Sequence, residues 1–189
     1  MGEHDINQQI DCNENICSSA ALRVGIDQII PHENYKDKST NKENDIGLVR
    51  LDRNIRYSNS IKPICLPSVL TTDSRSSQFT VAGWGRTLSN QKSPIKQKLA
   101  MTLVDQQKCV KKFAERKVKI VDSQLCAGGI YAEDSCEGDS GGPLMRVRNG
   151  AWVLEGIVSF GFKCGLKDWP AVHTRVTSYD TWIRSKIRV

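Results

Sequence analysis

Residues 134–143 read Asp-Ser-Cys-Glu-Gly-Asp-Ser-Gly-Gly-Pro. A serine hydroxyl is a poor nucleophile near neutral pH, so it needs a neighbouring base and donors for the oxyanion it creates. The glycines around Ser140 answer the second need. Backbone N–H groups of Gly138 and Ser140 converge on one point only where no side chain intrudes. The bland alternative is a Gly/Ser/Asp turn in a secreted β protein, and the rest of the chain has to decide.

Working outward, Asn44-Asp45-Ile46-Gly47-Leu48-Val49-Arg50-Leu51 is the second anchor. An Asp ahead of an apolar run ordinarily starts a buried strand. Beside the Ser140 loop, in this order, the two segments resemble the nucleophile and aspartate segments of chymotrypsin-fold, trypsin-like serine proteases. The resemblance implies an all-β fold, a chymotrypsin-like double β-barrel with its first barrel incomplete and a C-terminal helix. It also implies roles: Ser140 attacks, Asp45 orients a histidine, and the N–H groups of Gly138 and Ser140 form the oxyanion hole. Asp139 would pair with the amine of a newly cut N-terminus. The resemblance is nearest to arthropod clip-domain proteases.

The family's histidine, in an Ala-Ala-His-Cys segment, has no counterpart among the three histidines. His4 lies in Gly2-Glu3-His4-Asp5, His32 in Ile29-Ile30-Pro31-His32-Glu33-Asn34-Tyr35, and His173 where an aromatic usually stands. The hydrophobic activation N-terminus is also missing, so the chain by itself is expected to be an inactive, N-terminally incomplete protease. In a comparable triad, losing the base costs about 10⁶-fold in turnover.

The 189 residues are fewer than such a domain ordinarily needs, roughly 200–250. Mean hydropathy of −0.42 and no long apolar run argue against a membrane span. No signal peptide precedes residue 10. Yet seven cysteines, none in convincing metal-ligand spacing, suit a disulfide framework and a secreted protein. The resemblance pairs Cys109 with Cys126, Cys136 with Cys164 and Cys12 with Cys17. It leaves Cys65 to tether an upstream light chain or clip domain. Truncation reconciles the missing signal peptide with the cysteines; a cytosolic thiol protein is the alternative.

Residues 1–66 read as the later part of a first barrel, with a half-buried strand over Leu22–Ile30 and a polar loop over 36–44. Residues 67–77 have linker composition, and residues 78–189 read as the second barrel with its closing helix. Strands are expected from Phe79, at Leu99–Val104, Ala151–Phe160 and Ala171–Val176, with an exposed loop over 88–98. Thr177–Ile187 reads as a helix capped by Thr177 or Ser178, with Tyr179, Trp182, Ile183 and Ile187 on one face. A first barrel lacking strands should expose open edges and part of its core.

Net charge is +6, and the densest basic run spans Lys108–Lys119. Its helical spacing reads as a solvated face rather than a polyanion site, and nothing resembles a nucleic-acid module.

The resemblance places Asp134 at the base of a pocket for Arg or Lys, with Ser135 beside it. Ser159, Phe160 and Gly161 would pair with substrate as an added strand. Ala171 stands where the family has glycine, so its methyl narrows the pocket at a cost of about 1–3 kcal/mol. His173, if protonated, would offset Asp134. No cofactor is expected. Glu3, with Asp5 and Glu14, resembles a calcium loop of some relatives, which leaves calcium as the alternative, but three acids fall short of the six to eight oxygens it takes and surface acids without a metal are the favoured reading. Two functions follow: a trypsin-like endopeptidase acting on proteins, open to protease inhibitors and set in a cascade such as innate immunity; or a non-catalytic homologue that binds partners there.

Overall fold

The computed structural model describes residues 1–14, 16–67, 78–87, 91–130, 137–162 and 165–187. Among these residues ten strands and two helices follow in order: β1 (Cys12–Asn13), β2 (Ile16–Cys17), β3 (Ile26–Pro31), β4 (Gly47–Leu51), β5 (Gln78–Gly83), β6 (Gln97–Val104), α1 (Gln106–Ala114), β7 (Gln124–Gly128), β8 (Pro143–Arg148), β9 (Ala151–Phe160), β10 (Pro170–Arg175) and α2 (Asp180–Lys186). A 3₁₀ turn over Val176–Tyr179 leads into α2.

Strands β5 to β10 close a barrel in the order β10-β7-β6-β5-β8-β9. Side chains alternate across a strand, so Phe79 and Val81, Leu99 and Met101, and Leu125 and Ala127 share the inner face, packed with Leu144 and Val158. The outer face of β7 and β10 carries Cys126 and Val172. These meet Cys109 and Phe113 of α1, and a disulfide joins Cys109 to Cys126. Helix α1 begins where the Asp105 carboxylate accepts the Lys108 N–H at 3.0 Å. It ends at Ala114, so Arg116, Lys117 and Lys119 follow the helix rather than lie on it. A second disulfide, Cys12 to Cys17, closes the β1–β2 hairpin.

The first half is sparse. Among the described residues strand β3 pairs only with β4; it starts at Ile26 rather than Leu22, and is mostly exposed instead of half-buried. Ile26, Ile29 and Val49 are 57%, 68% and 54% exposed. The C-terminal segment ties this sheet to the barrel. Val176, Tyr179 and Ile183 pack on Ile46. Trp182 Nε1 donates to Glu33 at 2.8 Å, and Lys186 pairs with the same carboxylate. Lys186, with the Trp182 bond, holds Glu33 down to about 2.

The closing helix is shorter than expected, and neither Thr177 nor Ser178 caps it: the first turn is 3₁₀, with no side-chain cap bond. Ile187 lies past its end, 52% exposed. The loop expected over 88–98 is cut short because Gln97 and Lys98 already pair with β5. Residues 68–77, most of the expected linker, lie outside the described residues.

Candidate active site

The end of β9 gathers the site. Val158 accepts the Gly141 N–H at 2.8 Å and donates to the Gly142 carbonyl at 2.9 Å, pinning the turn that carries Ser140. The next residue, Ser159, donates its Oγ–H to Asp45 Oδ2 at 2.6 Å. Adjacent residues of one strand therefore hold the Ser140 turn and the Asp45 carboxylate. Thr174 on β10 fixes Asp45 from its other side, Oγ1 donating to the Asp45 carbonyl at 2.6 Å. Asn44, at φ 61°, receives the Tyr179 hydroxyl on its Oδ1 at 3.1 Å.

Ser140 is exposed, as is Gly138. Gly138 has φ 99°, and a methyl there would stand 3.1 Å from Gly85 Cα, so the position requires glycine. The N–H groups of Gly138 and Ser140 donate to no acceptor among the described residues. The Asp139 carboxylate folds inward, where Oδ1 accepts the Gly85 N–H at 2.9 Å. Built methyls on Gly83 and Gly85 fall 2.1 and 2.5 Å from its atoms. The glycines of Ala82-Gly83-Trp84-Gly85 thus make room for Asp139.

No histidine joins this group. The His4 carbonyl binds Trp84 and Lys96. His32 packs on Tyr179 and Trp182. His173 is fully buried, and its Nδ1 lies 3.2 Å from the Ala171 carbonyl. A carbonyl only accepts, so Nδ1 carries the proton and Nε2 is left bare, without a hydrogen-bond partner among the described residues. Burial pushes its pKa down to about 4. The ring is neutral near pH 7, which removes the expectation that it offsets Asp134.

Ala171 is buried beside the cleft backbone, its Cβ 3.9 Å from where a Gly161 methyl would stand. Asp134, Ser135, Cys136 and Cys164 lie outside the described residues, and with them the expected pocket base and the third disulfide. Cys65 is exposed and forms no disulfide among the described residues, and its backbone is stitched to Trp152 and Leu154 of β9. Asp5 accepts from Asn7 N and from Gln8 Nε2, and Glu3 from His4 N. Among the described residues no cluster of three or more acids, histidines or cysteines is placed to hold a metal. No helix among them is long and apolar enough to cross a membrane.

The sequence reading missed two hydroxyls: it used Ser159 only for its backbone, and it passed over Thr174. The available signal was slight, a single hydroxyl residue in each of the two strands, since a buried hydroxyl needs a partner.

The barrel and this strand end define a trypsin-like protein, and a family model described as Trypsin matches residues 10–183; the chain belongs to that family. It is 45% identical to Serine protease 7 of Drosophila melanogaster, over all of this chain and 49% of the relative. It is 44% identical to CLIP domain-containing serine protease B9 of Anopheles gambiae, over 100% and 47%. With Phenoloxidase-activating factor 1 of Holotrichia diomphalia the identity is 46%, over 100% and 53%. The chain thus spans about half the length of the curated relatives it matches.

Proposed function

We propose that this chain supplies most of the machinery of a trypsin-like endopeptidase that cuts secreted proteins after Arg or Lys. The histidine base comes from outside these 189 residues. Ser140 Oγ attacks the scissile carbonyl as its proton passes to that imidazole. The N–H groups of Gly138 and Ser140 stabilise the oxyanion. The imidazolium then protonates the leaving amine, and water releases the acyl group from Ser140 by the same route. Asp45 orients the imidazole, and Asp134 receives the basic side chain of the substrate.

The carrying observation is the pair of neighbours Val158 and Ser159, which hold the Ser140 turn and Asp45 at one strand end. The neutral ring of His173 brings no positive charge against the acidic pocket this reading requires. Relatives named for phenoloxidase activation support a protein substrate in a cascade. Cys65, exposed and without a disulfide among the described residues, suits a tether to a light chain or clip domain.

A second reading, a non-catalytic homologue that binds cascade partners, is favoured by the absence of any histidine on Asp45 or Ser140. The test joins to this chain an upstream segment that carries an Ala-Ala-His-Cys stretch. Hydrolysis of Arg and Lys peptide amides, abolished by Ser140→Ala, is the expected result. A folded, inactive hybrid would leave the binding reading.

A further inference from the structure

Beyond Ser159 the chain runs onto a feature the proposed chemistry does not use. Phe160 packs edge-on against the buried Phe113, with centroids 5.9 Å apart. Phe162 stacks on Phe113 at 5.4 Å and meets Trp169 at 4.9 Å, yet remains 45% exposed. Two cations rim these rings. Lys112 Nζ stands 4.5 Å from the Trp169 centroid, and Arg116 Cζ stands 5.7 Å from Phe162 and 5.4 Å from Trp169. Lys112 also pairs with Glu115, whereas Arg116 has no acidic partner among the described residues. Between residues 108 and 119 six side chains are basic and one acidic. An apolar floor with a positive rim is complementary to an acidic side chain on an extended peptide. A sulfated polysaccharide would use the charge but not the rings.

We propose that this shelf seats an acidic side chain of the substrate, about three residues before the bond that is cut. The inference rests on the peptidase reading for its register. Ser159 binds Asp45 at the site, and Phe162 lies three residues further on, about 10 Å of extended chain.

Fluorescein-labelled octapeptides ending in Arg, with Glu, Gln or Lys three residues before it, are titrated onto the chain by fluorescence anisotropy. The Glu peptide should bind roughly fivefold more tightly than the Gln peptide, the scale of one exposed charge pair. Arg116→Glu should reverse the order in favour of Lys, and Arg116→Gln should flatten it. Lys111→Glu, which touches neither ring, should leave the order intact. Equal binding of all three peptides, lost when the terminal Arg becomes Gly, overturns the shelf and leaves the peptidase reading standing. A Glu preference that is unchanged without the terminal Arg keeps the shelf and counts against the peptidase reading. Equal weakening by Lys111→Glu and Arg116→Glu, with heparin displacing every peptide, overturns the shelf in favour of a diffuse polyanion surface. No binding by any peptide overturns both.

Discussion

His173 makes the protein sensitive to acid. Its pKa falls from an ordinary 6.5 to about 4 on folding, because burial disfavours the charged ring. Between those values the unfolded chain holds a proton that the folded one refuses. Stability is therefore full above about pH 6.5 and declines as pH falls towards 4, by roughly 3 kcal/mol in all. Urea unfolding at pH 7 and pH 5 measures this, and His173→Phe should remove that part of the slope. At the same scale, Gly85→Ala places a methyl 2.5 Å from Asp139 atoms. It should cost about 1–3 kcal/mol by overpacking and displace the carboxylate. Thermal denaturation gives the cost, and an unchanged midpoint would contradict the packing argument. Much of this scale was legible in sequence: the glycines about Ser140 announce a loop that must approach other backbone closely. The neutrality of His173 was not, because it depends on what surrounds the ring.

Hairpin β8–β9 carries an ionic cluster. Arg146 Nε and Arg148 Nε stand 2.9 and 2.6 Å from Glu155 Oε1, all three side chains largely buried. Arg146 also lies over Phe79, 5.3 Å from the ring centroid. Glu155→Gln removes the shared anion while both guanidinium groups stay, and should destabilise by about 3 kcal/mol. The urea midpoint reads it; a loss no larger than that of an exposed pair would show that solvent already screens the cluster. Element types were readable where periodicity was strong. Ala151–Phe160 is both the expected and the observed strand. The ends were less so. Gln97 and Lys98 look like loop residues and become strand because β5 offers them partners.

Across the whole molecule, the two halves differ in closure. The barrel hides its inner face, whereas β3 and β4 show Ile26, Ile29 and Val49 to solvent beside open strand edges. Ile29→Lys should lower self-association in light scattering while shifting stability by only about 0.5 kcal/mol, as exposed substitutions do. Unchanged self-association would place the contact elsewhere.

The sequence alone determined the family, and it nominated Ser140 and Asp45 as candidates for the chemistry, because a nucleophile loop needs particular residue types in a fixed order. It also determined the strand alternation of the second half, because side chains point to opposite faces in turn. Only the tertiary structure decided which groups meet. Asp45 and Ser159 are 114 positions apart and share a hydrogen bond. Asp139 reaches Gly85 across 54. Lys112 and Arg116, read as a solvated face, rim rings carried by another part of the chain. Contacts of that kind follow from barrel closure, which brings distant strands together and leaves no mark in local sequence.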